Sequence, residues 1–387
     1  MVAFKMSQGP VGPAGADGIG ISFAGVAFVA TSGGDYSDPY SAISDYSTWC
    51  GSPTEVNRCL LKIYPGVYDI GENFLGVYPN MVLEGSGRDS TTIIGQIDGE
   101  FSGVIAVSDN SEVRDLTVIN EGGGDISTAV IFKNASNGQL TRVVARGLGG
   151  GTTNIGVHIR GSSPKIIDVV AEAGSLIAGE GGVESNALRI VGGGTINYTA
   201  PSLRNVEALA RGGSDQNTGI RIYNSYPELF DVSAIGFGGD YAAGLEHTVG
   251  GTLVMHGGKL DGFADILGSG IIVRDQSTVI LEGVAVTASS TALIASGVLA
   301  RAFIRRSSIN ASNTNAGIAA FLEFGSLLNV EHSTLVGLTN ALVNNNSVAN
   351  IALSKIFSPG VRNEQSGVTT CAGVYDQDYA FYADTCP

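Results

Sequence analysis

The chain has 387 residues and a formal net charge of −15, yet only 15% of its residues are charged, while 56 are glycine. So few charges argue against amphipathic helices, which need regular stripes of Lys, Glu and Leu. Basic residues scattered singly on an acidic chain make nucleic acid an unexpected partner, because a phosphate backbone would be repelled. No apolar run approaches the roughly 20 residues that a transmembrane helix needs, so membrane insertion is not expected either.

The first predicted element is a collagen-like segment within residues 1–23. The stretch "GPVGPAGADG" places glycine at every third position from Gly9 to Gly18, which is the spacing of a collagen triple helix. Four triplets are too few to hold three chains together alone. A short Pro/Gly tail on a monomer should be disordered. We therefore expect the segment to join the chain to other copies of itself in a homo-oligomer or fibre, by docking onto a neighbour or by winding as collagen.

A repeat of about 26 residues follows, between positions 128 and 274. Each unit has a first short strand such as "IGVHIRG" at 155, a small turn, a second strand such as "KIIDVVAE" at 165, and a Gly-rich turn. The first strands share a small anchor residue, found at Ala129, Gly156, Ala187, Gly219, Gly244 and Gly270. Strands too short to close a sheet within one unit are typical of a β-solenoid, whose coils pair about 4.8 Å above one another.

Alternation of side chains along the strands predicts the core of this solenoid. The residue after each anchor and the second residue beyond it should point inward, as should the valine and alanine columns of the second strand. The predicted inner columns include Val130, Val157, Leu188, Ile220, Leu245, Ile271, Val143, Val169, Val206, Val232, Ala145, Ala171, Ala208 and Ala234. His247 also falls on an inward position and is predicted to be a hydrogen-bonded core histidine.

Acidic residues recur at one turn of the repeat. Asp125, Asp215 and Asp240 each precede an anchor by four residues. Carboxylates stacked along a turn are weak candidates for Ca²⁺ ligands. The favoured interpretation is structural, with each aspartate hydrogen-bonding its own turn, so that no cofactor is required. A second polar ladder, at Asp115, Asp168, Asn205 and Asp231, is predicted to satisfy the N–H groups of a corner.

The outward positions of the first strand carry the candidate binding residues. The second residue past the anchor is His158, Arg189, Arg221 and Glu246 in successive units, and Arg160 and Tyr223 lie two residues further along their strands. On one flat face these side chains would form a strip able to hold an anionic or neutral glycan through arginine contacts and ring stacking. The competing interpretation is a solvated β-face with compensating charges.

The four cysteines form two close pairs near the ends of the chain, Cys50 with Cys59 and Cys371 with Cys386. Three pairings are possible, and proximity favours 50–59 and 371–386. No C-x₂-C spacing occurs, so a zinc cluster is not expected. Two disulfides on an acidic, Gly-rich chain fit an extracellular or cell-surface setting. The start "MVAFKMSQ" lacks the apolar core of a signal peptide, which suggests a processed N-terminus.

Several segments resemble the secreted right-handed parallel β-helix proteins of bacteria in the pectin-lyase-like superfamily. The segments are "GGDYSDPYSAI" at 33, "CLLKIYPGVYDIG" at 59, "MVLEGSGRDSTTIIG" at 81, the repeat, and the tail "CAGVYDQDYAFYADTC" at 371. The resemblance implies an all-β domain over residues 24–387, a right-handed parallel β-helix of about ten coils. It further implies an N-terminal cap at 24–60 with a short helix around Pro39–Tyr46, and a disulfide-closed C-terminal cap at 360–387.

Enzymes of this superfamily act on acidic polysaccharides, and the resemblance prompts a search for their motifs. The chain has no Asp-Asp pair, and "ELFDVSAIGFG" at 228 lacks the pectinesterase pattern, so no catalytic residue is assigned. A calcium-dependent lyase site stays open. The leading hypothesis is a non-catalytic, self-associating surface or fibre protein with a structural or adhesive role, for which the outward strip is the candidate glycan-binding site. The alternative is a polysaccharide lyase, esterase or depolymerase acting through the 158–246 face.

Overall fold

The protein is an all-β solenoid of about ten turns, as predicted, with 59% of its residues in strands and 3% in helices. The computed structural model describes residues 23–175, 182–193, 199–312, 317–358 and 363–387. The collagen-like stretch at 9–18 lies outside the described residues. None of the described helices is long and apolar enough to cross a membrane.

The elements follow one another with short connections throughout. Those of the first coils are β1 (Gly25–Val29), α1 (Pro39–Ser44), α2 (Tyr46–Trp49), β2 (Cys59–Ile63), β3 (Gly66–Asp69), β4 (Leu75–Val77), β5 (Met81–Glu84), β6 (Thr91–Gly95) and β7 (Ile105–Val107). Those of the central coils are β8 (Glu112–Asn120), β9 (Ile126–Lys133), β10 (Gln139–Gly147), β11 (Thr153–Arg160), β12 (Lys165–Ala173), β13 (Glu184–Val191), β14 (Ser202–Arg211), β15 (Gln216–Tyr223), β16 (Glu228–Phe237), β17 (Tyr241–Thr248), β18 (Gly251–Phe263) and β19 (Leu267–Arg274). Those of the last coils are β20 (Ser277–Glu282), β21 (Ala285–Ala288), β22 (Thr291–Ser296), β23 (Arg301–Arg305), β24 (Ser308–Ala311), β25 (Ile318–Glu323), β26 (Leu327–Glu331), β27 (Thr334–Gly337), β28 (Asn340–Asn345), β29 (Val348–Ala352), β30 (Lys355–Phe357), β31 (Asn363–Gln365), β32 (Val368–Ala372), β33 (Val374–Tyr375) and β34 (Phe381–Tyr382).

Two long sheets run the length of the solenoid. In the described chain, a twelve-stranded sheet extends from β4 to β31, and the remaining 22 strands form the other sheet. Neighbouring coils pair in parallel, whereas β33 and β34 form an antiparallel hairpin at the C-terminal end. Strand β11, for example, pairs with β9 on one side and β13 on the other. Every coil therefore depends on both neighbours for its backbone hydrogen bonds.

The 22-stranded sheet bends at a corner where one residue per coil has a left-handed backbone. The corner includes Asp115, Arg142, Asp168, Asn205 and Asp231, with φ between 51° and 58°. Aspartate and asparagine tolerate this conformation better than most residues. Their side chains pair with each other across coils, since Arg142 contacts Asp115 at 2.7 Å and Asn205 Nδ2 donates to Asp168 Oδ1 at 2.7 Å. The prediction that these side chains satisfy turn N–H groups is corrected accordingly.

The predicted inner columns form the core. All the valine, leucine, isoleucine and alanine positions named above lie in one continuous apolar cluster and are almost fully buried. His247 is also fully buried, and its Nε2 lies 3.1 Å from the carbonyl oxygen of Gly250, as predicted for a core histidine. The anchors are small because the two sheets come close there: a Cβ on Gly219 would lie 2.6 Å from the backbone nitrogen of Ile235.

Elements outside the repeat lie at both ends of the described solenoid. At the N-terminal end, helix α1 buries Pro39, Ala42 and Ile43, and the Asp38 side chain accepts a hydrogen bond from the Ser41 N–H at 2.8 Å. The predicted disulfides are both present, Cys50–Cys59 beside this cap and Cys371–Cys386 at the C-terminal hairpin. Such bonds are compatible with an extracellular protein.

Candidate functional site

The predicted strip of polar residues lies on the outer face of the twelve-stranded sheet, across four successive coils. His158 pairs in register with Arg189, Arg189 with Arg221, and Arg221 with Glu246. Coils are about 4.8 Å apart, so the four side chains span about 14 Å along the solenoid. We call His158, Arg189, Arg221 and Glu246 the central column. The vertical order of these residues is as predicted.

A second column of residues runs beside the central column, two residues further along each strand. Arg160 pairs with Val191, and Val191 pairs with Tyr223. Arg160 therefore flanks the His158 end of the central column, while Tyr223 flanks its Arg221 end. The valine between them leaves an apolar gap in the second column.

The strip is not the flat exposed face that the sequence predicts. His158 has no exposed surface, and Glu246 is only 4% exposed. The loop between β6 and β7 packs over the His158 end, since the Phe101 ring lies 4.2 Å from the Arg160 guanidinium and Glu100 forms an ion pair with it at 3.3 Å. This loop is some 60 residues earlier in the sequence. The accessible part of the strip is consequently reduced to the arginines and Tyr223.

His158 is held in its neutral form. Burial lowers the pKa of its imidazole to about 3, with the positive charges of Arg189 and Arg160 acting in the same direction. The backbone of Glu100 acts weakly the other way. Neither ring nitrogen has a hydrogen-bond partner of good geometry in the described structure. A neutral imidazole, with the Glu100 backbone as its polar neighbour, thus lies directly beside Arg189.

Glu246 is the centre of a charged cluster. Its Oε2 is 3.2 Å from Arg221 Nε and accepts a hydrogen bond from Gln216 Nε2 at 3.1 Å. The Nε–H of Arg221 is not aligned for a hydrogen bond, so this contact is an ion pair. Arg274 approaches the other oxygen of Glu246 at 3.7 Å, and Arg221 Nη1 also contacts Glu184 at 3.0 Å. These cations hold the Glu246 carboxylate in place. A carboxylate held in this way is better suited to positioning the neighbouring arginines than to transferring a proton.

Arg189 stands apart from this cluster. No carboxylate of the described chain lies within ion-pair distance of its guanidinium, and its Nε is buried without a hydrogen-bond partner. Its neighbours are the neutral His158, the cation Arg221 and the ring of Tyr223, whose centre is 5.9 Å from the guanidinium carbon. Burial raises the pKa of the Tyr223 hydroxyl, which keeps that group a hydrogen-bond donor. Arg189 and Tyr223 together can receive an anionic, oxygen-rich ligand.

Five residues outside the predicted strip also shape this face: Glu100, Phe101, Glu184, Gln216 and Arg274. Glu184 and Gln216 occupy the same strand position on neighbouring coils, so the repeat alignment contained a signal for them. Arg274 likewise follows an anchor by four residues. Glu100 and Phe101 lie in an earlier connection whose path across the face no local pattern reveals.

The calcium candidates do not come together. Register places Asp215 and Asp240 on adjacent coils, whereas two intervening coils, carrying Thr152 and Val183, separate Asp125 from Asp215. Three coil steps correspond to about 14 Å, too far for one ion. Within the described ranges, no group of three His, Cys, Asp or Glu side chains is arranged to hold a metal ion.

A cavity of about 150 Å³ lies away from this face, at the C-terminal end of the solenoid. It is lined by core-end residues such as Leu342, Ile351 and Cys371, and the hairpin residue Tyr382 closes one side. Its lining is mainly apolar. We attribute it to incomplete packing beneath the cap.

The fold and the site define a parallel β-helix protein with a charged strip on one sheet, similar to solved structures of the pectin-lyase-like and tailspike class. The A-module of mannuronan C-5 epimerase AlgE6 from Azotobacter vinelandii is 17% identical, with 87% of this chain and 94% of that module covered and a TM-score of 0.60. Tailspike protein 3 of bacteriophage CBA120 is 12% identical, with 92% of this chain covered and a TM-score of 0.56. This chain spans 57% of the tailspike. At these identities the likeness shows the fold alone.

No protein-family model matches the chain, and no curated protein sequence matches it. The function must therefore be argued from the site.

Proposed function

We propose that the protein is an extracellular polysaccharide-directed β-helix that binds an acidic glycan on the outer face of the twelve-stranded sheet. The observation that carries the proposal is Arg189, a half-buried cation without a carboxylate partner in the described chain, beside the ring and hydroxyl of Tyr223. A uronate carboxylate would supply the missing anion through charge-assisted hydrogen bonds. The similar solved structures, an epimerase module named for mannuronan and a phage tailspike, support a carbohydrate ligand.

The net charge of the whole chain does not oppose this binding. Exposed charges are screened over about 8 Å at physiological salt, so a ligand at Arg189 responds mainly to its immediate surroundings. The nearest carboxylates, Glu184 and Glu246, both pair with Arg221, and Arg274 also approaches Glu246, so two cations balance these two anions. The local field at Arg189 is therefore positive despite the acidic composition.

A catalytic function is the second candidate, and the position of His158 favours it. A lyase removes a proton from the carbon next to a uronate carboxylate and expels the 4-linked oxygen, with a cation neutralising the carboxylate. Arg189 fits the neutralising role, and His158 beside it is unprotonated at neutral pH. A pKa of about 3 makes His158 a weak base, and its burial separates it from a ligand. Binding is accordingly the function that the geometry supports best.

Two comparisons test the proposal. Polygalacturonate should bind, and the same polymer with its carboxyl groups reduced to alcohols should not. Equal binding of both polymers would refute an anion-recognising face. In parallel, polygalacturonate and polymannuronate are incubated with the protein, with and without Ca²⁺, and unsaturated products and reducing ends are measured. Turnover that disappears in Arg189→Ala or Arg221→Ala would establish the enzymatic alternative.

We further propose that the collagen-like segment links copies of this solenoid into an oligomer or fibre. The Gly-X-Y spacing of the segment supports this proposal. Because the segment is short, it would stabilise an oligomer only together with other contacts between the copies. Sedimentation of the chain with and without residues 1–22 tests this point. Identical monomer masses at micromolar concentration would remove it.

A further inference from the structure

A second surface with the features of a ligand site lies on the other sheet, near the C-terminal end. A groove of about 370 Å³ runs across β23, β26, β29 and β32 of the 22-stranded sheet. Its middle line consists of Phe303, Asn329, Asn350 and Thr370, which pair in register on four successive coils. We call this surface the amide groove. It shares no residue with the surface formed by the central column, Arg160 and Tyr223, which we call the arginine face.

The floor of the amide groove is rigid. The residues that alternate with the middle line point into the core, and Ala302, Ile304, Leu328, Val330, Ala349 and Ile351 are all buried. Both edges of the inner strands are occupied by parallel pairing with the coils above and below. The groove thus holds its side chains at a fixed spacing of about 4.8 Å and has no free strand edge for an added peptide strand.

The polar groups of the groove are partly open to solvent. Asn350 Nδ2 donates to Asn329 Oδ1 at 2.9 Å, forming an amide ladder. In the described structure this bond leaves Asn329 Nδ2 and Asn350 Oδ1 without a protein partner. The middle line therefore presents a donor and an acceptor to a ligand, and the half-buried ring of Phe303 lies one coil from Asn329.

The charges of the groove cancel. Arg305 Nε forms an ion pair with Glu331 Oε2 at 3.2 Å, and the next positions of the same line are Ala352 and Ala372. On the other side of the middle line, Arg301 is exposed at the Phe303 end without an ion-pair partner in the described chain, and the next positions are Leu327, Val348 and Val368. The lining of the groove itself thus carries no net charge, in contrast to the arginine face.

We propose that the amide groove binds a neutral, hydroxyl-rich glycan, independently of the arginine face. Paired amides match the donor and acceptor capacity of sugar hydroxyls, and an aromatic ring packs against the C–H face of a sugar ring. Three coil steps give the middle line a length of about 14 Å, enough for a few sugar units. The fixed side chains lose little conformational freedom on binding, which favours recognition by so shallow a surface.

The test uses four neutral hexasaccharides as probes: cellohexaose, xylohexaose, maltohexaose and laminarihexaose. Binding is measured by isothermal titration and by saturation-transfer NMR. We expect at least one probe to bind, and Phe303→Ala and Asn350→Ala each to weaken it about tenfold or more. Thr370→Arg, an exposed substitution that fills the groove, should abolish binding without lowering the melting temperature. The matched control is Asn310→Ala, because Asn310 is an amide of β24 outside the groove lining.

The outcomes separate this site from the arginine face. Arg189→Ala should leave hexasaccharide binding unchanged, and Thr370→Arg should leave polygalacturonate binding unchanged. The proposal is overturned if none of the four probes binds at millimolar concentration, or if the groove variants bind like the parent. It is also overturned if the parent self-associates in sedimentation and Thr370→Arg abolishes that association, since the occupant would then be a second copy of the chain.

Discussion

Arg221 and Glu246 lie opposite each other on neighbouring coils, with Arg221 Nε 3.2 Å from Glu246 Oε2. The side chain of Glu246 is only 5% exposed and that of Arg221 is 17% exposed. Removing one member of a buried pair leaves the other charge without compensation, which is far more costly than losing a surface pair. The contact should therefore contribute to stability as well as to the shape of the face.

We expect Arg221→Ala to lower the free energy of unfolding by about 3 kcal/mol. The double variant Arg221→Met/Glu246→Leu should lose much less, because it removes both charges together. Urea denaturation followed by circular dichroism measures the difference. Arg305→Ala is the control, since the Arg305–Glu331 pair is exposed and such pairs contribute about 0–1 kcal/mol. Equal losses for Arg221→Ala and Arg305→Ala would show that Glu246 is solvated.

The burial of His158 predicts how stability depends on pH. Its pKa in the fold is about 3, below the value of about 6.5 in an unfolded chain. Between these values the unfolded chain binds a proton that the folded chain does not, so stability is full above pH 6.5 and falls as the pH is lowered towards 3. The loss from this one group can reach about 1.4 kcal/mol per pH unit.

We expect His158→Gln to lose less stability than the parent between pH 6.5 and 4.5, because glutamine does not titrate. Melting temperatures at the two pH values give the comparison. Burial also lowers the pKa of His247, to about 4. Because His247 is retained in both proteins, its effect on stability cancels in the comparison. An NMR titration in which the His158 ring becomes protonated near pH 6.5 would contradict the burial described here.

Val249 occupies a turn position that suits another residue. Its φ is 66°, a left-handed conformation that a β-branched residue rarely adopts, and its side chain is 60% exposed. Val249→Asn should raise stability by about 1 kcal/mol, since asparagine tolerates this backbone and little apolar contact is lost. Val183→Asn serves as control, because Val183 is also exposed but has no positive φ. A lower melting temperature for Val249→Asn would show that the valine side chain makes a stabilising contact.

Much of the fold could be predicted because a solenoid repeats one local rule. Alternation within a strand placed Val157 and Leu188 in the core, and the repeat length placed His158 beside Arg189. The burial of His158 could not be predicted in the same way. It depends on Phe101 and Glu100, in a connection whose path is set by packing of distant coils.

The corner ladder shows a second kind of limit. Sequence placed Asp115 and Asp168 at the corner correctly, but the polar residue type alone did not show which groups they would bond. Arg142 and Asn205 stand in register one coil away, and their side-chain N–H groups bond the carboxylates in place of a turn N–H. Pairing between coils therefore decided the contacts of these residues.

In the proposed complex, Arg189 receives the carboxylate of an acidic glycan. The most direct test of this contact is the affinity of polygalacturonate for the parent protein, Arg189→Ala and Arg88→Ala, measured by titration calorimetry at one salt concentration. Arg88 is an exposed arginine of the turn between β5 and β6, away from the face. We expect at least about a tenfold loss of affinity for Arg189→Ala, the range of a charged hydrogen bond, and no change for Arg88→Ala. Equal affinities for all three proteins would contradict the proposed contact.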